Sequence, residues 1–490
     1  MAFNPVFLSI RALSELIRNR QMSPVEMTQI FLNRLEEMGP RYNAVVTLTR
    51  DLALQQARQA EKEIASGNYR GPLHGIPYGA KDLLATSGGV PTTWGAACFR
   101  DRLFDYDAKV ICRLKEAGAI LAAKLAMVEF AGGMGYRQPN AAFTGPGVNP
   151  WDTTTWSGGS SSGSGSAVCA GLVPFAIGSE TWGSILGPAN HCGVVGLRPT
   201  YGRVSRYGAM TLCWTLDKLG PLCLTADDCG LVLEAIAGAD PLDATTSDRV
   251  FRYNSAPLNR RFKLGVIRNV ADGVSDPMRR NFETALQNLA EIATFEEVTL
   301  PELPYDEITR TILFAEASSA HEDFIERGET ARLTAPEDRY TPYTRMVVLA
   351  RDYIRALRLR EFVCRKIDAV MSQFDALIGP SRPTTATKLD SELPSPLRGS
   401  AKDTMGAIGN LAGLPAISVP SGFSETGLPT GIQFMGRAYE ENAVLAVAQA
   451  YQSRTGWHLR HPPETLPQDN GLLGKRDILS SSCQEKNIFL

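Results

Sequence analysis

Two stretches of the chain carry hydroxyls dense enough for nucleophile chemistry. Residues 157–166 read SGGSSSGSGS, and residues 178–184 read GSETWGS. Residues 167–172 between them read as a short apolar helix and residues 173–177 as a buried strand. A helix and a strand of that length return the second turn to the first, so two serines can meet. A serine hydroxyl becomes a nucleophile only beside a base. Histidine is scarce, with five in the chain (His74, His191, His321, His458 and His461), and none stands in a setting that marks it as a base. Lysine serves where burial and neighbours let the neutral amine form. Lys81, in GPLHGIPYGAKDLL (residues 71–84), is flanked by Gly79, Ala80 and Leu83 and is a candidate for such burial. An arbitrary lysine is a solvated surface charge, so this position needs support from its surroundings.

Other uses of a Gly/Ser run fit less well. A flexible linker would have this composition, but an apolar helix and strand adjoin the run directly. A phosphate loop requires Gly-Lys-Ser/Thr, and no lysine lies between Asp152 and Arg198. The dinucleotide pattern fails because Val168 stands where its third glycine belongs. A nucleophile elbow fits Gly159-Ser160-Ser161-Ser162-Gly163, centred on Ser161, but needs a strand running into it. NPWDTTTWS, which precedes it, is a poor strand.

The elements that must hold these residues are those of an α/β protein. Residues 7–19, 23–38 and 51–66 read as amphipathic helices, with a capping box at Ser23-Pro24-Val25-Glu26. Asp107 can cap a helix running to Ala117, and residues 119–123 form a short apolar strand. Helix–strand alternation continues to residue 237. Residues 131–150 form a long loop. Residues 262–267 read as a strand and 275–292 as a helix. Residues 305–375 are mostly helical and charged. Residues 376–378, 413–420 and 431–435 read as strands, and 440–454 as the last helix. Residues 466–490 are a polar, unpatterned tail.

The chain has 490 residues, 44% hydrophobic and 21% charged, with a formal net charge of −2 and 9 cysteines. The balance is that of a globular protein and gives no electrostatic reason to bind nucleic acid. The cysteines show no CxxC pairing, so a reduced, cytoplasmic enzyme without a metal is expected. No secretory signal pattern opens the sequence, and no apolar run approaches the ~20 residues that span a bilayer.

Several motifs in one order resemble the amidase signature family. They are Gly75-Ile76-Pro77 with Lys81-Asp82, GGSSSGSG at 158–165, GSETWGSI at 178–185, GVVGLRPTYGRVSRYG at 193–208, and the late GLPAISVP and GLPTGIQFMGR. The resemblance covers roughly residues 5–460. It implies one amidase domain over residues 1–465, with a signature core at about 70–240 and a variable pocket region at about 241–400. The implied fold is a central, mixed, twisted sheet covered by helices on both faces. The implied catalytic set is Ser184 as nucleophile, Ser160 as bridging serine after a cis peptide, and Lys81 as base. The implied oxyanion donors are the backbone N–H groups of Thr181, Trp182, Gly183 and Ser184. Gly132, Gly133 and Met134, with Ser160, match the segment that lines the acyl side of the pocket, and Asp217 matches a structural position. No cofactor is implied.

The turn departs from the family's common Asp-x-Gly-Gly-Ser-Ile-Arg. Trp182 replaces a glycine and should need no positive φ. Leu186 replaces an arginine, which removes a positive charge and suggests that an anionic acyl group is not required. Phe314, Tyr340, Tyr343 and Tyr353 suit an aromatic or apolar leaving-group pocket. The expected activity is cleavage of the C–N bond of a small linear non-peptide amide through an acyl-enzyme, with esters, anilides and carbamates as related substrates. The expected partner is a small-molecule amide or carbamate alone, with no nucleic acid or membrane, for a monomer or homodimer. The alternative is the glutaminase component of a tRNA-dependent amidotransferase, which GVVGLRPTYGRVSRYG resembles closely. The altered turn and the divergent residues 240–400 count against it. A catalytically dead binding protein fits least, because all three triad positions are present.

Overall fold

The structure, a computed structural model, describes residues 5–256, 260–393 and 403–465. The tail expected at 466–490 lies outside the described residues. The strands are β1 (Val45–Leu48), β2 (Pro77–Lys81), β3 (Ile120–Leu125), β4 (Val148–Asn149), β5 (Asp152–Trp156), β6 (Phe175–Glu180), β7 (Val195–Arg198), β8 (Lys218–Cys223), β9 (Phe262–Ile267), β10 (Ala293–Val298), β11 (Ala376–Pro380), β12 (Ala416–Phe423) and β13 (Pro429–Met435). Eleven of them form one sheet in the order β1-β3-β2-β6-β8-β7-β12-β13-β11-β9-β10, and β4 and β5 pair separately. The large sheet is mixed. Strand β2 runs parallel to β3 and β6, whereas β6–β8, β7–β12 and β12–β13 are antiparallel.

Alternation along the strands feeds two cores. Phe175, Ile177, Ile417 and Val419 pack into one, and Ala176, Ala123 and Ala416 into the other. Strands buried on both faces read as continuous apolar runs, and helices must cover each face. The helices Pro24–Met38, Arg50–Ala65 and Glu441–Thr455 lie within a residue of their expected bounds at both ends. At Ser23 the side chain accepts the Glu26 N–H while the Glu26 carboxylate accepts the Ser23 N–H, both at 3.0 Å.

Four local expectations are corrected. Asp107 does not cap the helix Lys109–Glu116; its Oδ1 accepts the Ser87 N–H at 2.7 Å, and Ala108 holds the cap position. The short helix begins earlier, at Ser162, and ends at Cys169. Its glycines are poor helix formers, but a Cβ at Gly163 would come 2.5 Å from Ala126 N and Ala44 O. Tight packing therefore selects small residues there and overrides propensity. Strand β6 runs on through Glu180, so residues 178–180 are strand and not turn. NPWDTTTWS does contain a strand, β5, but it belongs to the two-stranded ribbon.

Among the described residues no helix is long and apolar enough to cross a membrane.

Candidate active site

Lys81 ends β2, the third strand from one edge of the sheet, and is fully buried. Its Nζ donates to three hydroxyls: Ser160 Oγ at 2.7 Å, Ser161 Oγ at 2.9 Å and Ser179 Oγ at 2.9 Å. Burial drives its pKa well below the ordinary lysine value, and the negative charges of Asp217 and Glu180 oppose this only in part. A neutral amine in contact with hydroxyls can accept a proton from one of them.

Ser160 lies in the turn before the helix Ser162–Cys169, after a cis Gly159–Ser160 peptide. Ser161 donates to the Ser179 carbonyl at 3.2 Å, which occupies its proton inside the cluster. Its hydroxyl is taken up by Lys81 and the Ser179 carbonyl, and the strand before it belongs to the separate ribbon, so it does not form an elbow. Ser184 comes from the second turn, and its carbonyl accepts the Ser161 N–H at 3.4 Å, so the two turns meet at their backbones.

The second turn hangs on Glu180. One carboxylate oxygen accepts the N–H groups of Ile185 and Leu186 at 2.9 and 3.0 Å, and the other pairs with Arg198 at 2.8 Å. Burial pushes the Glu180 pKa up, but the charges of Arg198 and Lys218 outweigh it and hold the group at about 2. Asp217 fastens the other side: it accepts the Thr181 hydroxyl at 2.5 Å and the N–H groups of Leu212 and Cys213 at 2.8 and 2.9 Å. The left-handed backbone of this turn falls on Gly183, at φ 81°, and not on Trp182. The Trp182 ring instead faces the Arg310 guanidinium at 5.3 Å. A cavity of about 150 Å³, bordered by Ser179, Thr181, Asp217 and Met210, adjoins the lysine cluster.

Gly132, Gly133 and Met134 sit in a segment fixed from the variable region. Arg345 donates to the carbonyls of Gly133 and Gly135, and Asp338 accepts the Tyr136 N–H at 3.2 Å. A Cβ at Gly132 would come 2.6 Å from the Tyr136 ring. The four aromatics of the variable region do not form one lining. Tyr340 is 73% and Tyr343 43% exposed. Tyr353 donates to Glu316 at 2.8 Å, and Phe314 lies under Arg345.

Sequence reasoning missed Ser161 and Ser179 as ligands of the lysine, and it missed Arg382. A Cβ at Gly183 would lie 2.8 Å from Arg382 Nη1. Arg382 thus brings a guanidinium from another part of the chain to this turn.

A buried lysine among serines in a large mixed sheet, beside a turn hung on a carboxylate, has the makings of a hydroxyl-nucleophile site. Comparison with known proteins gives the family. The Amidase family model matches residues 26–445, and the chain belongs to the amidase signature family. It is 38% identical over 483 residues to the A-type subunit of a glutamyl-tRNA(Gln) amidotransferase from Moorella thermoacetica, covering 93% of this chain and 98% of the relative. A solved chain from a vestigial protein complex that bears on the origins of an s-triazine catabolic enzyme aligns with a TM-score of 0.82 at 28% identity, covering 92% and 99%. The native peptide amidase from Stenotrophomonas maltophilia aligns with a TM-score of 0.80 at 28% identity, covering 93% and 98%.

These relatives correct the expectation of a small molecule as sole partner for a monomer or homodimer. One is named as one subunit of an amidotransferase, and another was solved as part of a protein complex.

Proposed function

We propose that the chain hydrolyses amides through an acyl-enzyme on Ser184. In this reading Ser184 Oγ attacks the carbonyl carbon. Its proton passes to Ser160, whose own proton moves to neutral Lys81. The tetrahedral oxyanion faces the N–H groups of Thr181, Trp182, Gly183 and Ser184, one such donor being worth about 3 kcal/mol of barrier. The relay then returns a proton to the departing nitrogen, the C–N bond breaks, and water cleaves the ester by the same path. The observation that carries this is the 2.7 Å hydrogen bond from Lys81 to Ser160, made by a buried amine whose proton burial disfavours.

The amide donor in the favoured reading is glutamine, with this chain as the ammonia-releasing component of a tRNA-dependent amidotransferase. Similarity to the amidotransferase relatives over almost the full length supports it. A second reading, direct hydrolysis of linear amides, anilides or carbamates, is favoured by Trp182, which puts a large ring held by Arg310 where the family commonly has glycine. The test is hydrolysis of glutamine, an aryl anilide and an aryl carbamate by wild type and Ser184→Ala. Glutamine cleavage that Ser184→Ala abolishes supports the first reading. Anilide or carbamate turnover with glutamine untouched overturns it for the second, and activity that survives Ser184→Ala overturns both.

A further inference from the structure

Arg382 follows β11 and reaches across to the second turn. Besides its approach to Gly183, its Nε would lie 3.9 Å from a Cβ at Gly187. Two residues without side chains thus leave room for the guanidinium. Arg382 Nη1 donates to Asp403 Oδ2 at 2.8 Å. Asp403 is itself fixed, since its other oxygen accepts the Gly406 N–H at 3.0 Å at the start of the helix Thr404–Leu411. A guanidinium carries five donors in a planar fork, and this tether uses one edge of it. The Arg382 side chain keeps 31% of its exposure, so it is held in place and yet still reached by solvent.

Beyond its partner Asp403, the groups nearest it are polar and neutral. A Cβ at Gly158 would come 3.0 Å from His191 Nδ1, and one at Gly159 would come 3.0 Å from the Tyr136 hydroxyl. These two groups therefore lie beside the two residues that precede Ser160. Burial first, and Arg382 second, lower the His191 pKa to about 3, which leaves a neutral imidazole. Burial raises the Tyr136 pKa while Arg382 opposes it, so the phenol keeps its proton. His191 Nδ1 and Trp156 Nε1 are buried without hydrogen-bond partners. The guanidinium edge that Asp403 leaves free, with the Tyr136 phenol as a further donor, can meet an anion with two oxygens.

We propose that Arg382 is the residue that reads the acyl part of the substrate, by binding a carboxylate carried on it. The enzyme then selects ω-amides of dicarboxylic acids over amides with a neutral acyl group. This rests on the reading of Ser184 as nucleophile. Arginine suits the task because its fork meets both oxygens of a carboxylate.

Succinamate and succinamide test it, since they differ only in carboxylate against carboxamide. Wild type should prefer succinamate, and Arg382→Met should cut that preference by about 10- to 100-fold, chiefly through KM. Arg382→Lys should keep part of it, and Asp403→Asn should keep the guanidinium and most of it. Thermal melts identify any variant that fails to fold. A second measurement works without turnover: labelling of Ser184 by a fluorophosphonate, with succinate protecting wild type better than succinamide, and Arg382→Met unprotected. Equal preference or protection in wild type and Arg382→Met overturns the proposal alone. No labelling together with no amide cleavage overturns the nucleophile reading, and the proposal with it.

Discussion

Lys81 and Lys124 lie on neighbouring parallel strands, with Ala80 opposite Lys124 and Lys81 opposite Leu125. Both are fully buried, and burial pushes both amines toward neutrality. Their immediate contacts differ. Lys124 donates to Thr92 Oγ1 at 2.7 Å and the Leu84 carbonyl at 2.8 Å, and it forms an ion pair with Asp82 at 3.2 Å. Asp82 also accepts the Thr93 N–H and hydroxyl. Lys81 touches hydroxyls only, and the carboxylate of Glu180 is engaged by Arg198. A contacting carboxylate keeps a buried amine charged, whereas hydroxyls leave it free to lose its proton. Contact chemistry, more than depth, separates a structural lysine from a candidate base.

The strongest test of this contrast exchanges the two residues' fates. Lys81→Met should lower kcat by about 1,000-fold or more while the protein still folds, since it removes a buried amine that has no ion-pair partner. Lys124→Met should do the reverse. It strands the Asp82 carboxylate, at a cost of about 3–5 kcal/mol of stability, read by denaturant melts. If Lys81→Met instead unfolds the protein and Lys124→Met abolishes only activity, the assignment is inverted.

Acidity sharpens the contrast further. Neutral Lys81 is the active form, so kcat/KM should rise with pH along a limb well below 10.5, and Lys124→Met should not move that limb. Stability follows the same sign. Above its folded pKa, Lys81 has lost a proton that the unfolded chain still holds up to about 10.4, so its contribution to stability rises with pH across that window and is flat beyond it. The smallest effect is expected from Ser179→Ala, about 10-fold on kcat with a shifted limb, because two hydroxyls still contact the amine. A pH profile of that variant identical to wild type would remove Ser179 from the cluster.

What the sequence reveals of this site divides along the same physical lines. The strand at residues 262–267 and the capped helix after Ser23 declare themselves through local pattern and capping chemistry. Lys81, Ser160 and Ser184 are legible because they sit in distinctive motifs, and the structure places Lys81 against Ser160 and joins the two serine turns. The helix Leu186–Cys192 and the onset of the helix at Ser162 are hidden, because glycine, proline and small residues there serve close packing and not propensity. Ser179 hides at the end of β6. Only a strand read through Glu180 puts it on the face of Phe175 and Ile177. Arg382 has no local signal at all. It lies in a proline-rich stretch, and its meaning comes from two distant glycines.

The pairing of β7 with β12, Gly196 opposite Ser418 and Arg198 opposite Ala416, joins segments far apart along the chain. Strands β1 to β8, with Lys81 and every serine of the cluster, are synthesised before that seam can close. As the chain leaves the ribosome, its first half would expose an unpaired β7 edge carrying Val195 and Leu197. We expect slow folding set by this late, non-local pairing, and stalled chains ending near residue 240 to be bound by chaperones until β12 arrives. Pulse proteolysis of nascent chains of increasing length should then show protection appearing abruptly, once about residue 423 has emerged.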